Sequence, residues 1–335
     1  MIGERFLKKV SIIVPVYNGS RFIKKTLSNI FSQTYENIEL ILVNDGSSDD
    51  SLEVITALSQ RAPVGVDVKI INQDNSGIAK TRNRGLEEAT GDYICFMDQD
   101  DGIYRNYIFT LEKLIEESNA DILIGGYNLV DEKGKILDKW VLKPEKKYST
   151  FRITAPWGRI FRKDLIDKYN IRFMDTKVSE DFYFNVLYLS YCKNIKVSSY
   201  SGYRWLYNAE SESHANWSQI SDERNPLIML TQLQKDINKD NELDHDCLEY
   251  MQLKHLVWYL LYVAKSASKE QLKKTYDEFF KWLDKYYPDY KKNRIMKNPA
   301  KYGESVKIGS IVNIAIGLKR IGCFYPMLRL YSKIS

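Results

Sequence analysis

Cysteine is scarce in this 335-residue chain and histidine scarcer, with four Cys and three His. Cys95, Cys192, Cys247 and Cys323 are scattered, with no CxxC spacing. That argues against a disulfide framework or a zinc site and reads as reduced thiols in a cytosolic protein. No stretch approaches the roughly 18 uncharged apolar residues of a membrane span. The nearest, Ile308 to Leu318 (IGSIVNIAIGL), is too short. The opening MIGERFLKKVSIIVPVYNG does not read as a signal peptide, because its apolar run is short and continues into a patterned domain. No GxGxxG follows the first strand-like run, which argues against a dehydrogenase. There is no internal repeat and no low-complexity segment.

What is present is a 44% hydrophobic chain with 28% charged residues, enough for one large core or two modest domains. The net charge of +5 is uneven. Asp289 to Ser335 carries ten Lys or Arg against two acids, leaving the remainder slightly negative. A local basic excess with interleaved apolar residues fits an anionic membrane surface better than nucleic acid.

The first hundred residues alternate two periods. Val10 to Val16 (VSIIVPV), Ile38 to Val43, Val66 to Asn72 and Tyr93 to Met97 read as buried strands. Between them, Arg21 to Ser32 reads as a helix capped by Ser20, followed by helices over Asp50 to Gln60 and Ile78 to Glu88. Such alternation predicts right-handed βαβ units and a mostly parallel α/β sheet flanked by helices. Ligands bind beyond the carboxyl ends of such strands. Each polar cluster falls at one of those ends: Tyr17-Asn18, Asn44-Asp45-Gly46-Ser47, Gln73 to Gly77, and Asp98 to Asp101. Crowded carboxylates such as Asp98, Asp100 and Asp101 repel one another and lose hydration, a cost that a divalent cation would offset.

Beyond Gly102 the alternation weakens. A helix over Tyr104 to Glu117, a strand at Asp121 to Gly125 and a hairpin over Tyr127 to Lys139 are expected. So are a helix at Ser179 to Tyr191 and an aromatic strand-like run from Ile195 to Leu206. From about Ser221 the pattern is helical, over Asn225 to Lys239, Cys247 to Ser266 and Lys269 to Tyr286.

Four segments in order, VSIIVPVYNGSRFIKKTL, IELILVNDGSSDDS, NSGIAKTRNRGLEEATGDYICFMDQDD and SEDFYFNV, closely resemble the family 2 glycosyltransferases of the GT-A fold. The resemblance covers roughly residues 8 to 210 and not the helical tail. It implies a catalytic domain over 1–215, with a nucleotide-binding half at about 8–102 and an acceptor half at about 103–215. A helical region with a basic amphipathic tail follows at 216–335, its boundary expected near Ser213 to Ser221. The implied activity is inverting transfer of a sugar from a nucleotide-sugar, a UDP-sugar first, to a hydroxyl of a glycan, lipid-linked or protein-linked acceptor in surface polysaccharide biosynthesis.

By that resemblance, Pro15, Val16, Tyr17 and Asn18 line the nucleobase pocket, and Asp45 accepts a hydrogen bond from the base. Asp45 also reads as a turn acid, since Asn-Asp-Gly-Ser is good turn chemistry. Asn75, Gly77 and Arg82 lie near the nucleotide, while Lys80 and Arg84 are either phosphate contacts or solvated surface. Asp98-Gln99-Asp100 matches the family's Asp-x-Asp motif, in which Asp98 meets the ribose or a metal-bound water and Asp100 ligates Mn²⁺ or Mg²⁺. Asp101 is left open, with capping of the next helix one role. Glu180 and Asp181 hold the catalytic base, Asp181 foremost. His214 is a further metal ligand or an exposed loop histidine. Trp157 and Gly158 form the acceptor floor or belong to the core.

The glutamine of the processive synthases' Gln-x-x-Arg-Trp motif is missing from Ser201 to Trp205, so single transfers are expected. The tail from Val306 to Ile334, with Ile308, Ile311, Val312, Ala315 and Leu318 on one helical face, either touches the membrane or packs on its own domain or a partner subunit. A cytoplasmic enzyme, peripheral on the inner face of the membrane and open to homo-oligomer formation, is therefore expected. The competing readings are a nucleotidyltransferase and a non-catalytic glycan- or nucleotide-binding protein. The first predicts a glycine-rich triphosphate loop, of which Tyr17 to Ser20 is a poor example. The second predicts loss of Asp100 or Asp181, and both are present.

Overall fold

The computed structural model describes residues 7–208 and 222–334. Strands β1 (Val10–Val16), β2 (Ile38–Asp45), β3 (Val66–Gln73) and β4 (Tyr93–Phe96) alternate with helices α1 (Ile23–Phe31), α2 (Ser51–Ser59) and α3 (Ile78–Glu88). β1 pairs in parallel with β2 on one side and β4 on the other, and β2 pairs with β3. Every residue of β1 and β2 is buried, which explains their unbroken apolar runs. Pro15 is tolerated in a central strand because the β4 ladder ends at Ile13 opposite Phe96. The expected cap of α1 is not Ser20. Phe22 is the capping residue, and the amides of Phe22 and Ile23 bond to the Gly19 carbonyl.

The next hundred residues visit two sheets. Strand β5 (Gly102–Ile103) leads into helix α4 (Tyr107–Ser118), then β6 (Ile122–Ile124), β7 (Tyr127–Val130), β8 (Ile136–Trp140) and β9 (Arg159–Arg162). Helices α5 (Lys163–Lys168) and α6 (Glu180–Tyr191) and strands β10 (Ile195–Val197) and β11 (Tyr203–Leu206) follow. The main sheet has seven strands in the order β10-β6-β9-β4-β1-β2-β3, with β9 inserted antiparallel between β4 and β6. A second sheet has the order β5-β11-β7-β8. The aromatic run from Ile195 to Leu206 is thus two strands in different sheets, divided at residues 198–202.

The C-terminal region is helical: α7 (Pro226–Asp236), α8 (His245–Val263), α9 (Lys269–Tyr286), the short α10 (Arg294–Lys297) and α11 (Pro299–Tyr302), then α12 (Val306–Arg320) and α13 (Phe324–Ile334). α9 begins with a reciprocal capping box between Ser268 and Gln271. The expected boundary at Ser213 to Ser221 lies outside the described residues. One continuous apolar core joins the sheet to α8, α9 and α12. Among the described residues no single helix is long and apolar enough to cross a membrane. α12 and α13 reach that length only together, bent by 119°.

Candidate active site

The site lies beyond the carboxyl ends of β1 to β4, where each strand releases a polar loop. Pro15 and Val16 are buried within β1, and their part is to deliver Tyr17, whose ring is 48% exposed. Asn18 adopts a left-handed conformation at φ 48°. Its side-chain oxygen accepts from the Ser48 amide at 2.8 Å, fastening the first loop to the second.

Asp45 closes β2 and is almost fully buried. One carboxylate oxygen accepts from Gln73 Nε2 at 2.8 Å and the Ser76 amide at 2.9 Å, the other from the Gly77 amide at 2.9 Å. Burial pushes its pKa up, but these hydrogen bonds outweigh it and hold the carboxyl below its usual range. Asp45 thus shapes the third loop. Gly77 sits at φ 87°, which a side chain would strain, although the space beside it is open. Gly46, at φ 67°, comes so near the third loop that a β-carbon there would lie 2.6 Å from the Asn75 amide nitrogen. Asn75 itself is exposed.

The fourth loop carries the acids. Asp98 and Asp100 are partly exposed, whereas Asp101 is buried. Asp101 does not cap a helix. It accepts from Tyr203 Oη at 2.6 Å and the Leu206 amide at 2.8 Å, fixing β11 beneath the loop. Gln99, counted by the resemblance among the nucleotide-sugar contacts, pairs its side-chain amide with both the N–H and the carbonyl of Tyr17 at 2.9 Å and so holds the first loop. Burial, with the Asp98 charge added, pushes Asp100 up to about 6.

Opposite stands the amino end of α6. Arg82, on α3 and 4% exposed, reaches Asp98 at 3.1 Å, Glu180 at 3.4 Å and Asp181 at 2.6 Å. Its guanidinium therefore meets carboxylates rather than standing free for phosphate. Burial opposes its charge, but Asp181, Asp98 and Glu180 together raise its pKa. Burial, with Glu180 and Asp98 adding to it, outweighs Arg82 and Arg159 and pushes Asp181 well above the usual carboxylate range. A carboxylate so perturbed at the mouth of a sheet edge is poised to accept a proton.

Trp157 is 7% exposed and stacks on Tyr203 with ring centres 4.6 Å apart and planes at 2°. It belongs to the aromatic core, with Tyr127 edge-on at 5.0 Å. Trp140, which the sequence reading passed over, and Trp205, which it weighed only within the synthase motif, are the partly exposed members of that cluster. Gly158 adopts φ 72° where the chain enters β9. Lys80 pairs at the surface with Asp175, and Arg84 with Glu88. His214 lies outside the described residues. Among the described residues no group of three or more His, Cys, Asp or Glu side chains surrounds a point that a metal would fill.

Arg159 was also missed. It is 1% exposed, beneath α6, and donates to the Ile153 carbonyl, while its Nε and Nη1 have no partner. Burial pulls it down to about 9, and the Asp181 charge opposes that fall. A cation inside a strand carries no sequence signal, because it sits where an apolar residue would be expected.

Residues 11–174 match the family described as Glycosyl transferase family 2. Glycosyltransferase GlyA of Streptococcus pneumoniae is 35% identical over 197 residues, 53% of this chain but 27% of that protein. Glycosyltransferase GlyG of the same organism is 39% identical over 124 residues, 37% of this chain and 40% of GlyG. The matched part therefore spans less than half the length of either. YibD of Escherichia coli, described as an uncharacterized glycosyltransferase, is 28% identical over 69% of this chain and 72% of its own length. Among solved structures, residues 1–349 of S. aureus TarS in complex with UDP-GlcNAc share the fold, with a TM-score of 0.58 and 18% identity over 97% of this chain and 90% of that one. With the GT-A arrangement of sheet and loops on one edge, residues 11–174 of this chain form a glycosyl transferase family 2 domain.

Proposed function

We propose that this chain is a metal-dependent, inverting glycosyltransferase that moves one sugar at a time from a UDP-sugar to an acceptor hydroxyl. The observation that carries the reading is the meeting of Asp98 with Glu180 and Asp181 around Arg82, with Asp100 beside Asp98, at the loop edge of the parallel sheet.

In this reading Tyr17 offers its exposed ring to the base. Asp45, whose Gly77-bound oxygen keeps a lone pair, accepts from a base ring N–H. Asn75 and the open face of Gly77 border the diphosphate, and Asp98 meets the ribose. The fit of a divalent cation rests on Asp100, whose carboxyl is raised by burial and by Asp98 and has only its own backbone N–H to offset it. Asp98 and Asp100 offer hard oxygens to Mn²⁺ or Mg²⁺, and the donor's phosphates complete the set. When bound, the metal neutralises charge that builds on the departing diphosphate. Asp181 takes the acceptor hydroxyl proton as that oxygen bonds to the anomeric carbon and the bond to the diphosphate breaks. A single displacement inverts the centre. Arg82 holds Glu180 and Asp181 in place for it, and the partly exposed Trp205 borders the acceptor sugar.

A surface glycan, free or lipid-linked, is the acceptor class this reading favours. The segment 305–334 holds five Lys or Arg and no acid. Val306, Ile314, Ile321 and Leu330 within it are each more than 60% exposed. Such a surface suits peripheral contact with an anionic membrane face where a lipid-linked acceptor resides.

The test is release of nucleotide diphosphate from a panel of sugar nucleotides with Mn²⁺. UDP-sugars come first, since the TarS fragment is seen with UDP-GlcNAc. Turnover of one donor, abolished by EDTA and reduced about 1,000-fold in Asp181→Asn with donor KM held within threefold, supports the reading. No turnover and no nucleotide binding with metal overturns it.

A further inference from the structure

Four non-glycine residues among those described have positive φ. Three are Asn18, Asn119 and Asn170, the residue type that best tolerates a left-handed turn. The fourth is Ser179, at φ 67° and ψ 24°, immediately before Glu180 and Asp181. A serine before a helix ordinarily caps it by accepting from an amide of the first turn. Ser179 makes no such bond. Its hydroxyl is instead 3.0 Å from Nε2 of His255, on α8 of the helical region. The His255 ring also packs on Phe182 of α6, with ring centres 5.1 Å apart. Phe182 is 2% exposed, so this contact is enclosed.

Among the described residues four other bonds fasten α6 to the helical region. Tyr183 Oη donates to Asp236 at 2.5 Å, Tyr191 Oη to the Asp236 carbonyl at 3.5 Å, and Asn238 gives its Nδ2 to the Ser190 carbonyl at 3.0 Å and its backbone amide to Ser190 Oγ at 3.2 Å. All lie farther along the helix. Among the described residues only the His255 bond joins the helical region to the turn that aims the two acids at Arg82. Burial, with Lys254 adding to it, pulls His255 down to about 4, so the ring is neutral at pH 7 and can bond a hydroxyl without bringing a fourth charge to the acids.

We propose that His255 is a positioning residue: through the Ser179 hydroxyl it holds the left-handed turn from which α6 presents Glu180 and Asp181, and so makes the C-terminal helical region part of the catalytic unit. The role in turnover rests on the transferase reading above. Strain kept at a turn beside an acid pair persists only where a neighbour fixes it. Ser179 is fixed by a residue 76 positions away.

The experiment compares the parent chain with Ser179→Ala, His255→Ala, the double variant and His255→Gln. Donor kcat and KM are measured with amide hydrogen exchange of the segment 176–186. The expected result is a fall of about tenfold in kcat for each single alanine variant, with donor KM unchanged within about twofold. The double variant falls no further than either single one, because both changes remove one bond. His255→Gln, whose side-chain amide takes the place of Nε2, recovers kcat to within about threefold. Exchange in 176–186 rises in the alanine variants and not in distant helices. If His255→Ala fails to fold, Ser179→Ala and His255→Gln carry the comparison. Unchanged exchange, additive losses in the double variant, or kcat equal to that of the parent overturns the proposal. A parent that turns over no donor refutes the transferase reading, and the exchange data still decide whether His255 holds the turn.

Discussion

The two ends of the main sheet treat their acids in opposite ways. At the end where the strands begin, Glu39 is 7% exposed inside β2 yet wholly satisfied. It accepts from Ser11 Oγ at 2.5 Å, the Thr90 amide at 2.8 Å and Thr90 Oγ1 at 2.7 Å, with Lys9 at 3.9 Å. Burial raises its pKa, but these bonds prevail and lower it. At the end where the strands finish, Asp98, Glu180 and Asp181 share the buried cation Arg82, and Asp100 stands beside Asp98 with no cation of its own. The first end is a lock that ties β1, β2 and the loop after α3. The second carries acids in excess of their cations, a charge that a positive ligand would offset. A balanced acid marks structure here, and an unbalanced one marks a site.

Removing the shared cation is the strongest way to break the comparison. Arg82→Ala leaves three neighbouring carboxylates without their counter-charge and is expected to lower stability by about 3 kcal/mol at pH 7.5. Urea unfolding checks it, and the deficit shrinks at pH 5 as the acids take up protons. Loosening the lock comes next. Glu39→Gln replaces one acceptor oxygen by a donor facing other donors, a loss of about 2 kcal/mol by the same measurement.

Asp100→Asn tests the contrast by its sign. It removes a crowded charge, so the metal-free protein gains about 1 kcal/mol at pH 7.5 while donor turnover disappears. The pH dependence runs in opposite directions at the two ends. Asp100 has a folded pKa of about 6 against an ordinary 3.8, so its charge destabilises above that range, and the cost is relieved as pH falls through 6. Glu39 lies below its ordinary 4.5, so its contribution is complete above that pH and is lost as pH falls through its lower folded value. Thermal unfolding of the parent and the two variants from pH 2.5 to 8 separates these trends. Smallest of all, Lys80→Ala breaks an exposed ion pair with Asp175 and changes stability by less than about 0.5 kcal/mol.

The legible part of the molecule is the part whose neighbours in sequence are neighbours in space. β1 to β4 lie within two residues of their expected bounds, because β1, β2 and β4 are buried along their whole length, the edge strand β3 alternates, and each helix is amphipathic. The loops at their ends could be aligned on one edge before any coordinates were known. Past Gly102 that reasoning lost its hold. β9 enters the sheet antiparallel, and the run from Ile195 to Leu206 serves two sheets. No local periodicity carries that information. The same limit applies within the site. Asp98, Asp100 and Asp181 were visible as residue types at motif spacing. The partners that orient the site, Arg159 beneath α6, Tyr203 on Asp101 and His255 on Ser179, come from distant segments. Gln99, inside the motif, serves the backbone of Tyr17. In the tail, the face expected to be apolar is only partly buried. Val312 and Ala315 pack inward, Ile308, Ile311 and Leu318 are half-buried, and the neighbouring Ile314 and Ile321 are exposed.

The central claim is that the unbalanced acids at the finishing end of the sheet hold a divalent cation jointly with a nucleotide diphosphate. Titration calorimetry of UDP against the parent chain and Asp100→Asn, with Mn²⁺ and with EDTA, tests it most directly. The account predicts binding to the parent with Mn²⁺ and a loss of at least about tenfold, or 1.4 kcal/mol, on chelation or in the variant. Equal UDP affinity in all four arms would contradict it.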